Sequence, residues 1–209
     1  MKITVIGAGN MGSAFVKQLT RAGHQVSVTA RDAAKAARVA ADNPGAKAVA
    51  ASSAADNADA IVLATGYADA AAALRGAGKL DGKVVVDITN PMTADYMGLT
   101  IGHDTSAAEE IAKAVPAARV VKAFNTVFAS VLADGASLDG KKVTVFVAAD
   151  DAAAKDIVAQ LARSAGFDVI DAGALKNARY LEPLAGLNIY LGYGAGLGTS
   201  IAPTWIRKA

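Results

Sequence analysis

The chain has 209 residues, no cysteine, two histidines and a formal net charge of +2. This length suits one large domain, or one domain with a small appendage, and it allows a substantial core to be buried. The absence of cysteine excludes disulfides, thiol nucleophiles and cysteine-ligated metals. Two histidines are too few for a histidine-rich metal site, and the near-neutral charge argues against nucleic acid as a partner.

Short apolar runs alternate with helical patterns in the first 125 residues. Strands are predicted at residues 3–6, 25–30, 47–50, 60–64, 83–88 and 119–124. Helices are predicted at residues 11–22, 33–41, 68–74 and 106–114. Continuous Val, Ile and Leu strands separated by helices are typical of a parallel sheet covered on both faces. The predicted fold class is therefore α/β, with a doubly wound parallel sheet.

The same alternation continues more loosely after residue 125. Helices are predicted at residues 128–133 and 152–165, and strands at residues 142–148 and 168–170, with a turn at Asp139-Gly140. The tail starts as a helix at Ala178 and then becomes rich in glycine. We expect this small C-terminal α/β segment to pack on the preceding sheet.

The segment Gly7-Ala8-Gly9-Asn10-Met11-Gly12 follows the first predicted strand and opens the first predicted helix. Such a G-x-G-x-x-G turn is typical of a Rossmann dinucleotide-binding unit. Gly7 permits the tight turn, Gly9 lets the backbone approach a pyrophosphate, and Gly12 allows close packing of helix on strand. We predict that all six residues belong to a cofactor site, with the helix N-terminus facing phosphate.

The end of the second strand selects the cofactor. The chain has Thr29-Ala30-Arg31-Asp32 there, with Lys35 one helical turn further on. An arginine in this place can fork onto a 2′-phosphate, and Lys35 adds a second positive charge, so we predict NADP(H) bound near Ala30, Arg31 and Lys35. Asp32 has two alternative roles, as the N-cap of the next helix or as the residue that holds the ribose of NAD.

Other polar residues follow the fourth and fifth strands. Thr65-Gly66 and Asn90-Pro91 occupy these positions, at the edge where doubly wound sheets bind ligands. We predict that Thr65, Gly66 and Asn90 face the cofactor, although ordinary turn chemistry also explains both dipeptides.

Proton donors are few. His24 is expected on the opposite edge of the sheet, His103 in a connecting loop, and Tyr67, Tyr190 and Tyr193 are more easily explained by packing. We therefore assign no catalytic residue and no metal ligand.

Five segments together resemble a known family. They are Gly7-Ala8-Gly9-Asn10-Met11-Gly12, Asp87-Ile88-Thr89-Asn90-Pro91, Ser106-Ala107-Ala108-Glu109-Glu110, Val120-Val121-Lys122-Ala123-Phe124-Asn125-Thr126 and Arg179-Tyr180-Leu181-Glu182-Pro183-Leu184. In order and spacing they resemble the NADPH-dependent reductases of the deazaflavin coenzyme F420, a fold that also serves as the reductase domain of the STEAP metalloreductases. The chain departs from the family pattern at Ala30, where many relatives have a hydroxyl residue, and at Asn125, where archaeal members tend to have histidine.

The resemblance implies hydride transfer between NADP(H) and a flavin-like acceptor such as F420, FMN or FAD. It places Ala8, Gly9, Asn10 and Met11 along the pyrophosphate, and Asn125 and Thr126 beside the acceptor. Two alternatives stay open: an imine or ketone reductase resembling pyrroline-5-carboxylate reductase, and a non-catalytic NADP(H)-binding sensor.

The organisation expected from all this is a Rossmann domain over residues 1–125 and a small region over residues 126–209 that completes the cleft. The stretch from 184 to 206 carries no charge and is long enough to span a bilayer, but glycines and Pro203 interrupt it. We expect it to be buried, or to form the interface of a homodimer, in a cytoplasmic protein with no membrane partner.

Overall fold

Strands and helices alternate along almost the whole of the computed structural model, which describes residues 1–205 and 208. The strands are β1 (Lys2–Ile6), β2 (Gln25–Thr29), β3 (Ala46–Ala48), β4 (Ala60–Leu63), β5 (Val84–Asp87), β6 (Arg119–Lys122), β7 (Ser137–Leu138), β8 (Lys141–Lys142), β9 (Thr144–Val147) and β10 (Asp168–Asp171). The helices are α1 (Asn10–Arg21), α2 (Ala33–Ala41), α3 (Tyr67–Arg75), α4 (Ala107–Ala114), α5 (Ala129–Asp134), α6 (Ala152–Ser164) and α7 (Ala178–Ile189). Short 3₁₀ turns cover Ala51–Ser53 and Leu175–Asn177, and a π-helical turn at Tyr190–Gly194 follows α7.

Six strands form one parallel sheet in the order β3-β2-β1-β4-β5-β6. The predicted doubly wound α/β fold is confirmed. The chain leaves β1 towards β2 on one side, and the strands from β4 onward lie on the other side. Ligands of such sheets bind outside the carboxyl ends of the strands, at the point where the strand order reverses.

Alternate side chains of the strands enter two different cores. On β4, Val62 joins the core that includes Phe15 and Leu19 of α1, whereas Ile61 joins the core that includes Leu74 of α3. This period of two follows from the pleat of a strand. Because both faces of the sheet are covered, the strands are continuous apolar runs in the sequence.

The C-terminal region adds a second, small parallel sheet of β9 and β10, and the core on the α1 face extends into it. An antiparallel bridge also joins this sheet to the first: Lys122 and Ala148 exchange backbone hydrogen bonds of 2.9 and 3.0 Å. The turn predicted at Asp139-Gly140 joins the antiparallel strands β7 and β8. The predicted packing of the C-terminal segment on the sheet is thus confirmed.

One difference from the expected strand boundaries, at the end of β6, has a clear physical cause. This strand was expected to reach residue 124 but ends at Lys122, because Phe124 adopts a left-handed backbone with φ 60°. The Phe124 ring packs edge-on against Phe15 at 5.1 Å and Phe167 at 5.5 Å between ring centroids. Aromatic packing of this kind holds a conformation that a non-glycine residue seldom adopts.

The apolar C-terminal stretch breaks into short elements. Within the described residues, no helix is both long and apolar enough to cross a membrane. The tail instead folds back on α5: Ser130 Oγ donates to the carbonyl of Thr199 at 3.0 Å, and a Cβ on Gly192 would come within 2.9 Å of the Phe128 ring.

Candidate functional site

Two clefts adjoin each other at the carboxyl edge of the main sheet. The first has a volume of about 600 Å³ and lies beyond β1, β2 and β4; we name it the nucleotide cleft after the cofactor expected from the sequence. The second has a volume of about 570 Å³ and lies beyond β5 and β6, against α7; we name it the ring cleft after the expected flavin-like acceptor. They meet at the start of α1, because Gly9 lines the first while Asn10 and Met11 line the second.

The predicted site residues divide between these two clefts. The nucleotide cleft is lined by Gly7, Ala8, Gly9, Ala30, Arg31, Lys35, Thr65 and Gly66. The ring cleft is lined by Asn10, Met11, Asn90, Asn125 and Thr126. Of all the predicted residues, Gly12 alone lines neither cleft.

The three glycines of the first turn have different surroundings. A Cβ on Gly12 would collide with the carbonyl oxygen of Gly7, and a Cβ on Gly7, at φ 122°, would collide with the carbonyl oxygen of Ala64. By contrast, a Cβ on Gly9 would meet no described atom within 4 Å. Gly7 and Gly12 therefore form the turn, whereas the space beside Gly9 stays free for a ligand.

Charged groups surround the outer end of the nucleotide cleft. The Arg31 guanidinium lies 3.4 Å from the carboxylate of Asp69 on α3, and the Arg31 side chain is 88% exposed. Asp32 caps α2 by accepting a hydrogen bond from the Lys35 backbone N–H at 3.1 Å. The N-cap role considered for Asp32 is thus confirmed, and Asp32 also lines the nucleotide cleft.

An unused hydroxyl lies at the inner end of the same cleft. Thr65 follows β4, and its Oγ1 is buried without a hydrogen-bond partner among the described residues. A buried hydroxyl with no partner is costly and calls for a ligand or water that can pair with it. Together with the open space at Gly9 and the basic side chains of Arg31 and Lys35, it fits a phosphorylated dinucleotide.

A pair of amides forms the floor of the ring cleft. Asn125 Nδ2 donates to Asn90 Oδ1 at 3.0 Å and to the carbonyl of Leu181 at 2.8 Å, and Asn90 Nδ2 donates to the carbonyl of Asn125 at 2.9 Å. Within the described part of the chain, the buried Asn125 Oδ1 accepts no hydrogen bond. The pair is thus rigid and retains one acceptor.

Apolar side chains form the walls of the ring cleft. Phe124, Phe128, Tyr96, Met97 and Tyr193 contribute, and the rings of Phe128 and Tyr193 pack edge-on at 5.8 Å. None of these side chains was predicted from the sequence to line a cleft, and Phe124 was named only as part of a family segment. The loop around Tyr96 gave no periodic signal. It approaches α7, a distant segment of the chain, where a Cβ on Gly186 would lie 3.9 Å from Leu99.

The ring cleft carries negative rather than positive charge. Its described lining residues include Asp95 but no lysine, arginine or histidine. The Thr93 hydroxyl, followed by the Met97 N–H, lowers the pKa of Asp95 through hydrogen bonds. Asp95 is therefore ionised at neutral pH.

Behind the ring cleft lies a buried cluster of three charges. Lys122 Nζ is 2.8 Å from Asp87 Oδ2 and 2.8 Å from Glu182 Oε1. It also donates to the carbonyl of Thr89 at 2.6 Å. Each member belongs to a different segment of the family resemblance, and the fold brings the three segments together.

The proton donors considered from sequence do not form a catalytic set. His24 bonds to the chain N-terminus and to Ser164 at the other edge of the sheet, and the exposed His103 lines neither cleft. Burial, followed by the nearby carboxylates of Glu110, Glu182 and Asp87, raises the pKa of Tyr67. Of these candidates, Tyr193 alone lines the ring cleft. The described residues also contain no cluster of three or more His, Asp or Glu side chains that could hold a metal ion.

Comparison with known proteins identifies relatives along nearly the whole chain. Residues 2–91 match the family described as NADP oxidoreductase, coenzyme F420-dependent. The F420-dependent NADP reductase of Methanothermobacter marburgensis is 32% identical over 91% of this chain and 92% of its own length. The rat metalloreductase STEAP3 is 29% identical over 88% of this chain, which spans only 36% of that protein.

Solved structures also match nearly the whole chain. The structure of a putative F420-dependent NADP reductase from Arthrobacter sp. FB24 has a TM-score of 0.90 and 34% identity, with 99% of this chain and 100% of that chain covered. An imine reductase of Streptomyces aurantiacus has a TM-score of 0.68 at 21% identity, with 93% of this chain and 64% of that chain covered. The second likeness shows the shared fold alone.

Proposed function

Because the chain belongs to the F420-dependent NADP reductase family, we propose that it transfers a hydride between NADP(H) and a flavin-like acceptor, coenzyme F420, FMN or FAD. The observation that carries the proposal is the meeting of the two clefts at Gly9, Asn10 and Met11. A dinucleotide that crossed this point would place its nicotinamide in the ring cleft, next to the acceptor ring. Holding two rings in contact is the main requirement of hydride transfer.

In this proposal the nucleotide cleft binds the phosphates of NADP(H). The backbone of Ala8 and Gly9 approaches the pyrophosphate at the start of α1. Arg31 and Lys35 bind the 2′-phosphate, beside the small Ala30. Thr65 uses its free hydroxyl on the ribose, and Gly66 leaves the ribose room.

The ring cleft orients the reacting rings. Bound NADPH would supply a hydride, one proton with two electrons, and an acceptor ring reduced in this way would take its second proton from water. Asn90 and Asn125 present a fixed amide surface, with Asn125 Oδ1 free to accept a hydrogen bond, and Thr126 borders the acceptor. Phe128 and Tyr193 line one wall of the cleft, and the chain acts by positioning the two rings, which needs no nucleophile.

Two glycine variants separate folding from nucleotide binding. In Gly9→Ala, the new methyl group meets no described atom within 4 Å but occupies the path of the pyrophosphate. Gly9 is the N-cap of α1, where alanine is poorer than glycine, so we expect the free energy of unfolding to fall by about 1 kcal/mol or less. We also expect about tenfold weaker NADPH binding, measured by calorimetry.

Gly12→Ala is the counterpart, because its methyl group collides with the Gly7 carbonyl. We expect about 1–3 kcal/mol of destabilisation in urea unfolding. The control Gly102→Ala adds a methyl group in open space outside both clefts and should change neither quantity. Unaltered NADPH affinity in Gly9→Ala would remove Gly9 from the proposed site.

The function itself is tested by an acceptor screen. NADPH is mixed with F420, FMN or FAD under anaerobic conditions, and its absorbance is followed with and without the protein. We expect protein-dependent oxidation of NADPH with at least one acceptor. NADPH binding without turnover of any acceptor would instead favour the non-catalytic sensor.

Two further parts of the proposal concern organisation. We place the boundary between the dinucleotide-binding domain and the C-terminal region near residue 125. We also propose a homodimer whose interface includes the exposed Leu187, Tyr190 and Leu197, since large exposed apolar patches are unusual in monomers. The mass in solution, from light scattering, tests the dimer.

A further inference from the structure

The buried Asp87–Lys122–Glu182 cluster has no part in the hydride transfer as proposed above. The three side chains are at most 1% exposed. A buried ion pair is on balance no more stabilising than apolar side chains of the same volume, because desolvation of the charges offsets their attraction. The cluster therefore suggests a role other than stability.

All four carboxylate oxygens of the cluster accept hydrogen bonds. Asp87 Oδ1 accepts from the Thr89 N–H at 2.8 Å, and Asp87 Oδ2 accepts from Lys122. Glu182 Oε2 accepts from the Ala107 N–H at 2.8 Å, while Oε1 faces Lys122 and the Ala108 N–H. Every oxygen thus faces an N–H donor, the arrangement that suits a carboxylate.

Lys122 is also charged. Its burial alone would lower the pKa of Lys122, but the charges of Asp87 and then Glu182 outweigh burial, and the net pKa is raised. Two carboxylates and one ammonium leave one excess negative charge. The N-terminus of α4, which carries about half a positive charge, offsets this only in part.

The excess charge lies directly behind the wall of the ring cleft. Asp87 ends β5 just before Ile88, which lines that cleft, and Glu182 precedes the lining residue Ala185 by one turn of α7. Asn125 links the cleft to the cluster, since its Nδ2 donates to the carbonyl next to Glu182. Charges in such an interior are weakly screened.

We propose that this cluster is a buried counter-charge that favours the oxidised, cationic nicotinamide of NADP⁺ over the neutral ring of NADPH. The inference rests on the proposed function and deepens it, because among the bound species it favours the oxidised nucleotide together with the reduced acceptor. The contacts of the pyrophosphate and 2′-phosphate are common to both forms and cancel in the ratio of their affinities. The cluster acts on that ratio.

The test is calorimetric binding of NADP⁺ and NADPH without any acceptor. We expect the unmodified protein to bind NADP⁺ at least about threefold more tightly than NADPH. In Asp87→Asn the ratio Kd(NADP⁺)/Kd(NADPH) should rise about three- to tenfold, the effect of a unit charge at an effective dielectric constant near 20. Glu182→Gln should shift the ratio in the same direction.

Glu109→Gln is the matched control. Glu109 pairs with Arg179 across the same two helices, α4 and α7, but does not line the ring cleft. In Glu109→Gln the ratio Kd(NADP⁺)/Kd(NADPH) should stay within about twofold of the parent value. A variant that only loosens the fold should leave the ratio within the same limits.

Two results would overturn the counter-charge. One is tighter binding of NADPH than NADP⁺ by the unmodified protein, which decides the matter even if both variants fail to fold. The other is a ratio that stays within twofold in Asp87→Asn or Glu182→Gln while both affinities fall together. Failure of the proposed function appears differently, as an acceptor screen with no turnover or as a protein that binds neither nucleotide.

Discussion

The Lys122→Met variant is expected to lose about 3–5 kcal/mol of unfolding free energy, the usual effect of removing one partner from a buried ionic cluster. Methionine fills the volume of the lysine stem but leaves Asp87 and Glu182 facing each other without the ammonium that now lies 2.8 Å from each. The carbonyl of Thr89 also loses its donor. Urea unfolding at pH 8 measures the loss.

The pH dependence of this variant identifies the cause. Without Lys122, the folded variant must take up a proton on its buried carboxyls, whereas the unfolded chain at neutral pH does not. Because the folded state then binds more protons, its stability rises as the pH falls from 8 to 6. The parent, in which Lys122 balances the carboxylates and its raised pKa keeps it charged to alkaline pH, should show no such gain.

Lys113→Met is the control for this experiment. Lys113 pairs with Glu110 at 2.7 Å, but its side chain is 68% exposed. An exposed pair contributes little, so the change in unfolding free energy should be far smaller than that of Lys122→Met. A Lys122→Met variant as stable as this control at pH 8 would show that the buried carboxylates do not depend on the ammonium.

The Arg31→Ala variant is expected to bind NADPH about 10- to 100-fold more weakly, with little change for NADH. A guanidinium makes two charge-assisted hydrogen bonds to a phosphate, and the 2′-phosphate is the only group that distinguishes the two nucleotides. The present partner of Arg31 is Asp69, at 3.4 Å and largely in water. Exchanging this screened pair for a phosphate is therefore inexpensive.

Titration calorimetry with both nucleotides measures this selectivity. Arg38→Ala is a matched control, since Arg38 belongs to α2 as Lys35 does but does not line the nucleotide cleft. An equal loss for NADPH and NADH would assign Arg31 to a part of the cofactor that both share. NADPH affinity that is the same in Arg31→Ala as in Arg38→Ala would remove Arg31 from the site.

Much of the fold could be predicted from sequence because its signals are local. The Val-rich strands, the helix over residues 33–41 and the glycine turn after β1 are each set by neighbours within a few positions. The end of β6 was missed because the left-handed backbone of Phe124 depends on Phe15 and Phe167, which are distant in sequence. No local pattern carries such a contact.

The candidate site, too, was predictable where its signals are local and unpredictable where it depends on long-range contacts. Residues of the first turn and the end of β2 follow from known spacing. The fold places Gly9, Arg31 and Lys35 at the nucleotide cleft, but Asn10 and Met11 line the ring cleft and Gly12 lines neither. The charged cluster was not predicted as a unit, because Asp87, Lys122 and Glu182 lie in separate segments of the chain and each reads as an ordinary polar residue at an element end. Their resemblance to family segments marked the residues, and the fold supplies their shared contact.

The most direct test of the central claim, direct hydride transfer between two rings held together, is single-turnover kinetics with stereospecifically deuterated NADPH. The acceptor is the one that reacts in the screen, and reduction of its ring is followed by absorbance under anaerobic conditions. We expect deuterium on one face of the nicotinamide to slow reduction of the acceptor, and deuterium on the other face to have no such effect. Equal rates with both labels and with unlabelled NADPH, or no reduction of any flavin-like acceptor, would contradict the proposed function.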